Sequence, residues 1–353
     1  MKSTILYIYP TFATFIKRDL DFLSEKFRVI TPKHHWGNKQ LAAWNFVRQL
    51  VFILRYLFRC KAIFVMFGGY WSFLPALLGR MAGKPVYIIL GGADCVSFPT
   101  IQYGSLRKPL LRTFIRWSYR LCSKLIPVDE SLVFSQYQYF EPQHYQFQGY
   151  KYHLPKVSTP YEVIYNGFDP VFFSHDISPK RPDSFIAIAA IPDNMRLKLK
   201  GIDLLLELAK IYPQCNFTVV GISDQMIERL GKVSENVTLI SFLAQKKMKE
   251  YLLTSQYVVQ LSISEGFPNA ICEAMLCGCI PIGSAVGAMP NIISNTGYIM
   301  EHSDLKYLQN RFTEILLADE HTRMMLSQTA RTRILENFHI DQRKEAFYKL
   351  IGS

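Results

Sequence analysis

The sequence predicts an α/β fold of two domains, each a parallel β-sheet with helices on both faces. The chain has 353 residues, which is about twice a typical single domain. Hydrophobic residues make up 49% and charged residues 19%, which is enough apolar material for two cores and argues against disorder. Short apolar segments of strand length alternate with helical segments along nearly the whole chain, as is typical of parallel sheets.

The first half carries five strand-like segments separated by helical ones. Glycines mark two of the breaks, at Gly68-Gly69 and Gly91-Gly92. The predicted strands are Ile5–Tyr9, Phe27–Thr31, Ala62–Phe67, Pro85–Leu90 and Leu125–Val128. The predicted helices are Phe15–Lys26, Gln40–Arg59, Ser72–Ala82 and Leu106–Leu121. A stretch rich in Tyr, Gln and Pro at residues 136–160 follows neither pattern, so we expect an irregular excursion there.

The same alternation restarts after this excursion, which indicates a second domain of similar build. The predicted strands are Phe185–Ala190, Asn216–Val220, Val237–Ile240, Tyr257–Leu261 and Ile280–Ile282. The predicted helices are Gly201–Ile211, Ser223–Lys232, Lys246–Ser255 and Pro268–Leu276, followed by a helical C-terminal region. We therefore expect domains at residues 1–165 and 166–335, with residues 336–353 forming a helix that crosses back to the first domain.

The positive charge of the chain is confined to its first half. Residues 1–170 carry 21 Lys and Arg against 9 Asp and Glu, whereas residues 171–353 carry 19 of each, so the net charge of +12 belongs to the first half. Such asymmetry favours an anionic partner. The segment Leu106–Lys124 combines cations with bulky apolar residues at helical spacing, a pattern typical of helices that lie on anionic lipid. The alternative for this segment is a packing helix with a solvated basic face.

The most specific motif is the segment Ser264–Met275, which follows an apolar strand. Pro268 suits a first helical position and Gly278 suits a helix end, so the segment predicts a strand, a turn and a helix N-terminus. Free N–H groups and the positive end of the dipole favour a phosphate there, and Gly266 allows a close approach to the backbone. Glu265 and Glu273 flank this terminus, and carboxylates suit paired hydroxyl donors. The alternative is a capped helix with two solvated glutamates.

Glu265 and Glu273 form an E-x7-E arrangement, and EGFPNAICEAMLCG resembles the donor-site signature of the family-four retaining glycosyltransferases. The resemblance covers nearly all of residues 160–353 and is looser before them. It implies the GT-B fold, in which two Rossmann-like domains face each other across a cleft, the first binding the acceptor and the second a nucleotide-sugar donor linked to UDP or GDP. The donor-binding residues that it implies are Gly266, Phe267, Pro268, Asn269, Ala270, Glu273 and Asn166, the last in a segment similar to the family's NGxD.

Further segments resemble the same family. Lys200-Gly201-Ile202-Asp203 is similar to the start of the helix that faces the donor diphosphate, and Arg196 matches the family's preceding arginine, with Lys198 as its competitor. The family's HGxD-like tip is Gly91-Gly92-Ala93-Asp94 here, so the histidine is absent. Asp94 is expected to contact substrate hydroxyls or, alternatively, to cap the next turn of its loop.

The resemblance implies retaining sugar transfer to a glycan or lipid-linked acceptor, in polysaccharide or glycoconjugate synthesis, without a metal or another cofactor. The expected catalytic residues are Lys200, Arg196, Glu265 and Asp94. One alternative is a nucleotide-sugar-binding protein with impaired catalysis, which the missing histidine favours. A second alternative, from another class, is a basic nucleic-acid-binding protein, although we find no RNA-binding signature and expect no nucleic-acid partner.

Metal, redox and targeting signals are weak in this sequence. The one DxD, Asp19-Leu20-Asp21, lies in a predicted helix, where residues two apart point to different faces. The pair His34-His35 has no ligand spacing. Seven cysteines without a CxxC favour free thiols in a reducing compartment, and no signal peptide is recognised. We expect a cytoplasmic protein that lies peripherally on the inner face of the plasma membrane.

Overall fold

The computed structural model describes residues 2–32, 36–37, 39–173 and 179–352, so the paired histidines at 34 and 35 lie outside the described residues. The chain divides into two compact units. The first unit contains Met1–Ser135, Phe147–Gly167 and Ile340–Ser353. The second contains Gln136–Gln146 and Phe168–His339.

Strands and helices alternate in both halves of the chain. The strands of the first half are β1 (Thr4–Ile8), β2 (Arg28–Ile30), β3 (Cys60–Met66), β4 (Val86–Leu90), β5 (Lys124–Pro127), β6 (Ser135–Gln136) and β7 (Phe147–Gln148). Its α-helices are α1 (Thr14–Lys26), α2 (Ala42–Tyr56), α3 (Tyr70–Met81), α4 (Pro109–Leu121) and α5 (Tyr150–His153).

The second half has the same build with more helices. Its strands are β8 (Arg181–Ile191), β9 (Asn216–Ile222), β10 (Val237–Ile240), β11 (Ser255–Gln260), β12 (Ile280–Ser284) and β13 (Tyr298–Met300). Its helices are α6 (Asn194–Leu199), α7 (Ile202–Ile211), α8 (Asp224–Leu230), α9 (Gln245–Thr254), α10 (Asn269–Leu276), α11 (Met289–Ile293), α12 (Leu305–Leu316), α13 (Glu320–Asn337) and α14 (Ile340–Gly352). No helix of the described residues is long and apolar enough to cross a bilayer.

The first unit is built on a parallel sheet of strand order β2-β1-β3-β4-β5. Its strands β1, β3 and β4 are almost completely buried, which explains why they are continuous apolar runs rather than alternating ones. Helices α2, α3 and α4 pack side by side, and α1 packs with α14. Right-handed crossovers place these two groups of helices on opposite faces of the sheet.

The last helix of the chain is fastened into the first unit by a buried ion pair. The guanidinium of Arg343 on α14 donates to both oxygens of Asp19 on α1, with Nε–Oδ1 and Nη2–Oδ2 distances of 2.7 and 2.8 Å. The hydroxyl of Tyr7 donates to the same carboxylate at 2.7 Å. The one DxD of the sequence thus supplies a structural anchor, since Asp19 is 1% exposed and committed to these donors.

The second unit is built on a parallel sheet of strand order β10-β9-β8-β11-β12-β13. The chain enters at β8, runs outward through β9 and β10, and returns to β11 on the other side of β8. The strand order therefore reverses between β8 and β11. In open α/β sheets, ligands bind outside the carboxyl ends of the strands at such a reversal.

Aromatic side chains fill the centre of the second unit. The ring of Phe185 on β8 stacks on Tyr257 of β11 at 4.8 Å and on Phe217 of β9 at 5.0 Å between centroids. Phe312 of α12 covers the same ring at 5.6 Å. These contacts fix β8 and β11 as neighbours, with Phe185 opposite Tyr257 in the parallel register.

The predicted α/β architecture is confirmed, but several elements differ from the prediction; helix α6 and strand β13, for example, were not predicted. The predicted helix Leu106–Leu121 is a 3-10 turn, Ser105–Arg107, followed by α4 from Pro109. Lys108 between them is extended because a residue before proline is disfavoured in the helical region. The predicted excursion, residues 136–160, contains helix α5, and its first part, Gln136–Gln146, groups with the second unit.

Candidate functional site

Two oppositely charged side chains meet where the strand order of the second unit reverses. Lys200 follows β8 through the short helix α6, and Glu265 lies in the loop after β11. The ammonium of Lys200 donates to Oε1 of Glu265. The side chains of Lys200 and Glu265 are 19% and 10% exposed, so the ion pair is largely shielded from water. Both residues were predicted as site residues, and the structure brings them into direct contact.

The Glu265 carboxylate is held by further donors from β11 and its end. Its Oε1 atom also accepts from Nε2 of Gln260, which is buried at the end of the strand, and from Oγ of Ser262 at 2.9 Å. Hydrogen bonds to an ionised oxygen are stronger than neutral ones, so these donors fix the side chain in one orientation. No described residue donates to the second oxygen, Oε2. One carboxylate oxygen is therefore available to a hydroxyl donor.

Gly201 lets the Lys200 loop and the Glu265 loop touch. It is the N-cap of α7 and has φ +65°, a left-handed conformation that favours glycine. A Cβ atom at this position would lie 2.1 Å from the carbonyl oxygen of Leu261. Next to it, the N–H of Ile263 donates to the carbonyl of Leu199 at 2.8 Å. The position of Lys200 relative to Glu265 thus depends on a backbone contact that a larger residue would disrupt.

We expect the substitution Gly201→Ala to lower the free energy of unfolding more than Gly83→Ala does. Gly83, which follows α3, has nearly the same φ, +64°, but a Cβ atom there would meet nothing within 4 Å. The left-handed backbone alone should cost about 1–2 kcal/mol in each variant. The clash with Leu261 should add to this cost only at position 201, and urea unfolding of both variants measures the difference. Equal losses would contradict the close approach of the two loops.

The helix α10 presents its N-terminus beside Glu265. It begins at Asn269, so Pro268 is its N-cap rather than its first helical residue, a correction to the prediction. The carbonyl of Pro268 accepts from the N–H groups of Ile271 and Cys272, which starts the helix. No acceptor for the N–H of Ala270 is found within the described part of the chain. This half-buried amide is therefore available to an anion at the positive end of the helix.

A third loop closes against the turn that contains Gly266. The N–H of Ala288 donates to the carbonyl of Gly266 at 3.2 Å. Gly287 has φ +56°, and a Cβ atom on it would lie 2.1 Å from the carbonyl oxygen of Glu265. Phe267 is buried and stacks on Phe168 at 6.2 Å between ring centroids. Of the predicted donor-binding residues, Phe267 thus packs inward, whereas Asn269 and Ala270 are half-buried at the helix start.

The remaining predicted residues of the second unit lie on the same two helical segments. Glu273 is half-buried one turn into α10. Arg196 lies on α6, one turn before Lys200. Its backbone N–H donates to Oδ1 of Asp193, the N-cap of this helix, at 2.8 Å. Lys198, the competitor of Arg196, has its ammonium 5.2 Å from the centre of the Phe140 ring. Arg196 is therefore one helical turn from Lys200, and Lys198 lies near the Phe140 ring.

Two tyrosines that the sequence did not single out support the Glu265 loop. The hydroxyl of Tyr137 donates to the carbonyl of Ile263 at 2.7 Å, and that of Tyr139 to the carbonyl of Leu261 at 3.2 Å. Burial raises the pKa of both tyrosines, so they remain donors at any physiological pH. Tyr137 and Tyr139 are two residues apart, a spacing typical of an extended segment with one buried side. We predicted only an irregular excursion for this part of the chain.

Asp94 and Asn166 belong to the first unit. Oδ1 of Asp94 accepts from the N–H groups of Gly91 and Gly92 at 3.2 and 3.1 Å, and Oδ2 accepts from the N–H of Gly68 at 2.8 Å and the hydroxyl of Tyr119 at 2.9 Å. Burial raises the pKa of Asp94, and the bonds from Gly68 and Tyr119 offset this only in part. The donors to Asp94 are the two glycines before it and two groups that lie 25 and 26 residues away, so Asp94 holds its loop in place.

The ring of Phe67 lies against Gly91, the residue in the place of the family's histidine. A Cβ atom on Gly91 would lie 1.9 Å from the ring of Phe67, which fills that space. Asn166 is buried. It lies one residue before Gly167, where the segment Phe147–Gly167 of the first unit ends. Among the described residues, no group of three or more His, Cys, Asp or Glu side chains is placed to hold a metal.

Comparison with protein families places the Lys200 and Glu265 segments in a known context. Residues 193–333 match the family described as glycosyl transferases group 1. A phosphatidylinositol N-acetylglucosaminyltransferase component of Homo sapiens is 30% identical over 156 residues, which cover 41% of this chain and 31% of that protein. The N-acetyl-alpha-D-glucosaminyl L-malate synthase of Bacillus anthracis is 26% identical over 204 residues, covering 54% and 52%. The chain thus spans about a third to a half of these curated relatives.

Solved structures match over the whole chain. Anabaena HepE in complex with UDP-glucose superposes with a TM-score of 0.72 at 15% identity, covering 99% of both chains. The sucrose-phosphate synthase of Thermosynechococcus elongatus gives 0.74 at 15% identity, covering 99% of this chain and 98% of that one. The GT-B fold is therefore confirmed, and residues 193–333, which contain Lys200, Glu265 and Glu273, match the group 1 glycosyl transferases.

Proposed function

We propose that this chain is a retaining glycosyltransferase that moves a sugar from a nucleotide-sugar donor to a glycan or lipid-linked acceptor. The observation that carries the proposal is the Lys200–Glu265 pair at the reversal of strand order between β8 and β11. A cation suited to a diphosphate and a carboxylate oxygen suited to a sugar hydroxyl meet at this point, and helix α10 begins four residues after Glu265. The match of residues 193–333 to the group 1 glycosyl transferases supports the proposal.

The diphosphate of the donor would bind between the two loops. The N–H of Ala270 at the start of α10 is the expected amide ligand. Lys200 would reach the diphosphate from the opposite loop, and Arg196 would add a second positive charge one helical turn earlier. Two cations are suited to the charge that develops on a departing diphosphate, because such charge grows in the transition state.

The two carboxylates would hold hydroxyl groups at either side of the diphosphate. Oε2 of Glu265 accepts from no described residue and would accept from a sugar hydroxyl, while Oε1 stays bound to Lys200. Glu273, one turn into α10, would accept from the ribose diol. This assignment keeps each carboxylate as an acceptor and requires no protein general base.

The proposed chemistry exchanges one bond at the anomeric carbon. The bond to the diphosphate oxygen breaks, and the bond to the acceptor oxygen forms on the same face of the sugar. The proton of the acceptor hydroxyl passes to the departing phosphate oxygen. We propose that the reaction needs no metal ion, because Lys200 and Arg196 supply the positive charge. Asp94, with four donors around it, would position the loops of the first unit instead of contacting the reacting atoms.

The donor to be tested first is UDP-N-acetylglucosamine. Two relatives are named for N-acetylglucosaminyl transfer or its product, and HepE was crystallised with UDP-glucose. A thermal-shift panel of UDP- and GDP-sugars, followed by assays of donor hydrolysis and transfer with and without a chelator, tests the proposal. Stabilisation by one nucleotide sugar with turnover is expected. Binding without hydrolysis or transfer would favour the impaired alternative, and no binding of any nucleotide sugar would overturn the proposal.

We expect Glu273→Ala to weaken nucleotide binding about 10-fold to 100-fold, because hydrogen bonds to a charged acceptor contribute about 1.5–3 kcal/mol each. Isothermal titration with UDP measures the change. Glu235→Ala is the matched control, since Glu235 is an exposed carboxylate in the loop before β10, and it should leave affinity unchanged. Unchanged affinity in Glu273→Ala would remove this residue from the ribose contact.

A further inference from the structure

Helix α2 exposes most of its large apolar side chains, whereas two polar residues, Asn45 and Gln49, lie on its buried side. The buried residues are Asn45, Gln49 and Ile53. The exposed large apolar residues recur at helical spacing along the opposite side and just beyond the helix end. They are Trp44, Val47, Leu50, Val51, Leu54 and Phe58. A stripe of this size on the surface of a protein marks a contact with an apolar partner.

One of the polar residues on the buried side, Gln49, is bound to the neighbouring helix α3. The amide of Gln49 is fully buried and donates to the carbonyl of Trp71 at 2.9 Å. The packing of α2 against α3 therefore fixes the rotation of α2 about its own axis. In this orientation the apolar stripe faces outward. Trp44 is 59% exposed and Phe58 76%, so this stripe is not part of the core of the unit.

The sequence segment that contains α2 carries charge of almost one sign. From Lys26 to Val128 the sequence has 16 Lys and Arg residues and a single carboxylate, Asp94, which is buried. Arg48, Arg55 and Arg59 are exposed along one edge of the apolar stripe. Among the described residues, no carboxylate forms an ion pair with these three arginines. The partner of this face must therefore supply negative charge next to an apolar surface.

The neighbouring helix α4 extends the apolar stripe but contributes less charge than its sequence indicates. Leu110 and Trp117 are exposed on α4, and Phe114 between them packs near Phe46 of α2 at 6.0 Å. The cations of this segment are partly used within the unit. Arg112 and Arg120 donate to the carbonyls of His153 and Lys156, and Lys124 pairs with Glu162. The centre of the surface is thus α2 rather than the segment Leu106–Lys124.

We propose that α2 lies in the plane of an anionic lipid bilayer, with Trp44, Val51 and Phe58 inserted at the headgroup boundary. Arg48, Arg55 and Arg59 would face the lipid phosphates and carboxylates. An apolar stripe with tryptophan and a basic flank is the composition of interfacial helices. A second copy of this chain would set arginines against arginines. A nucleic acid would leave the aliphatic side chains of the stripe without a partner.

The test is flotation of the full chain with vesicles of equimolar phosphatidylcholine and phosphatidylserine, and with phosphatidylcholine alone. We expect binding to the anionic vesicles that weakens with salt and little binding to the neutral ones. The triple variant R48Q/R55Q/R59Q should bind about 100-fold more weakly, since each arginine near an anionic surface contributes about fivefold. The triple variant W44S/V51S/F58S should lose about tenfold or more, because it removes the inserted side chains.

Matched controls come from the second unit. K232Q/K246Q/K247Q removes the same charge from exposed lysines, and V171S/L317S/M324S removes exposed apolar side chains. Both controls should bind vesicles like the parent chain, and melting temperatures confirm that all variants are folded. Equal losses in the controls, equal binding to neutral vesicles, or a self-association of the parent that the α2 variants abolish would overturn the proposal. The measurements use no enzymatic activity, so their outcome is independent of the proposed transferase function.

Discussion

Replacing Lys200 with methionine should lower turnover about 10²-fold to 10³-fold and should weaken nucleotide binding by a much smaller factor. Losing one preorganised electrostatic contact to charge that develops in the transition state has an effect of this size. The ammonium of Lys200 is held by Glu265 and shielded from water, so solvent cannot replace it. Steady-state kinetics together with titration of the nucleotide separate a loss of turnover from a loss of binding.

The controls for this prediction lie on the same helical segment. Lys198→Met removes a cation two residues away whose ammonium lies against the Phe140 ring, and it should leave turnover close to that of the parent. Lys200→Arg keeps the charge with a different shape and should retain part of the turnover. Glu265 keeps its bonds from Gln260 and Ser262 in both Lys200 variants, so the loop should stay in place. Normal turnover in Lys200→Met would exclude this residue from the mechanism.

The strand, turn and helix around Gly266 could be predicted from the sequence because the signals are local. An apolar strand, a glycine, a proline and a following helical run all lie within residues 257–276. The contact between Lys200 and Glu265 could not be predicted from these signals. The two residues are 65 positions apart, and they meet because β8 and β11, which are not consecutive in the chain, are neighbours in the sheet.

The role of Asp94 could not be predicted from the local sequence either. The sequence places an aspartate in a glycine-rich loop, where contact with substrate hydroxyls and capping of the loop are equally compatible with its neighbours. Two of its four donors, Gly68 and Tyr119, come from positions 26 and 25 residues away and decide its surroundings. The hydrogen bond from Tyr137 to the carbonyl of Ile263 could not be predicted for the same reason, since it joins residues 126 positions apart. Contacts made only by tertiary packing are absent from any local pattern.

Replacing Arg343 with methionine should lower the free energy of unfolding of the first unit by about 3–5 kcal/mol, because the carboxylate of Asp19 would be left buried without its counter-charge. Arg343 also donates to the carbonyls of Ile164 and Tyr165 at 3.1 and 3.0 Å, so one side chain joins α1, α14 and the segment before Gly167. Urea unfolding, followed by a signal that reports on the first unit, measures the loss. The signal must report on the first unit alone, because a chain of two compact units can unfold in more than one transition.

The neighbouring residue on α14 provides the control. Lys344 pairs with Glu25 of α1, so Lys344→Met removes a second ion pair between the same two helices, but this pair is exposed to water. Its loss should have a much smaller effect, since solvent already screens the charges. The double variant Asp19→Leu with Arg343→Met should recover much of the stability that Arg343→Met loses, because no charge then remains buried. A loss in Arg343→Met no larger than in Lys344→Met would mean that the helix is anchored mainly by its apolar contacts, such as the packing of Phe347 on Phe22 and Phe64.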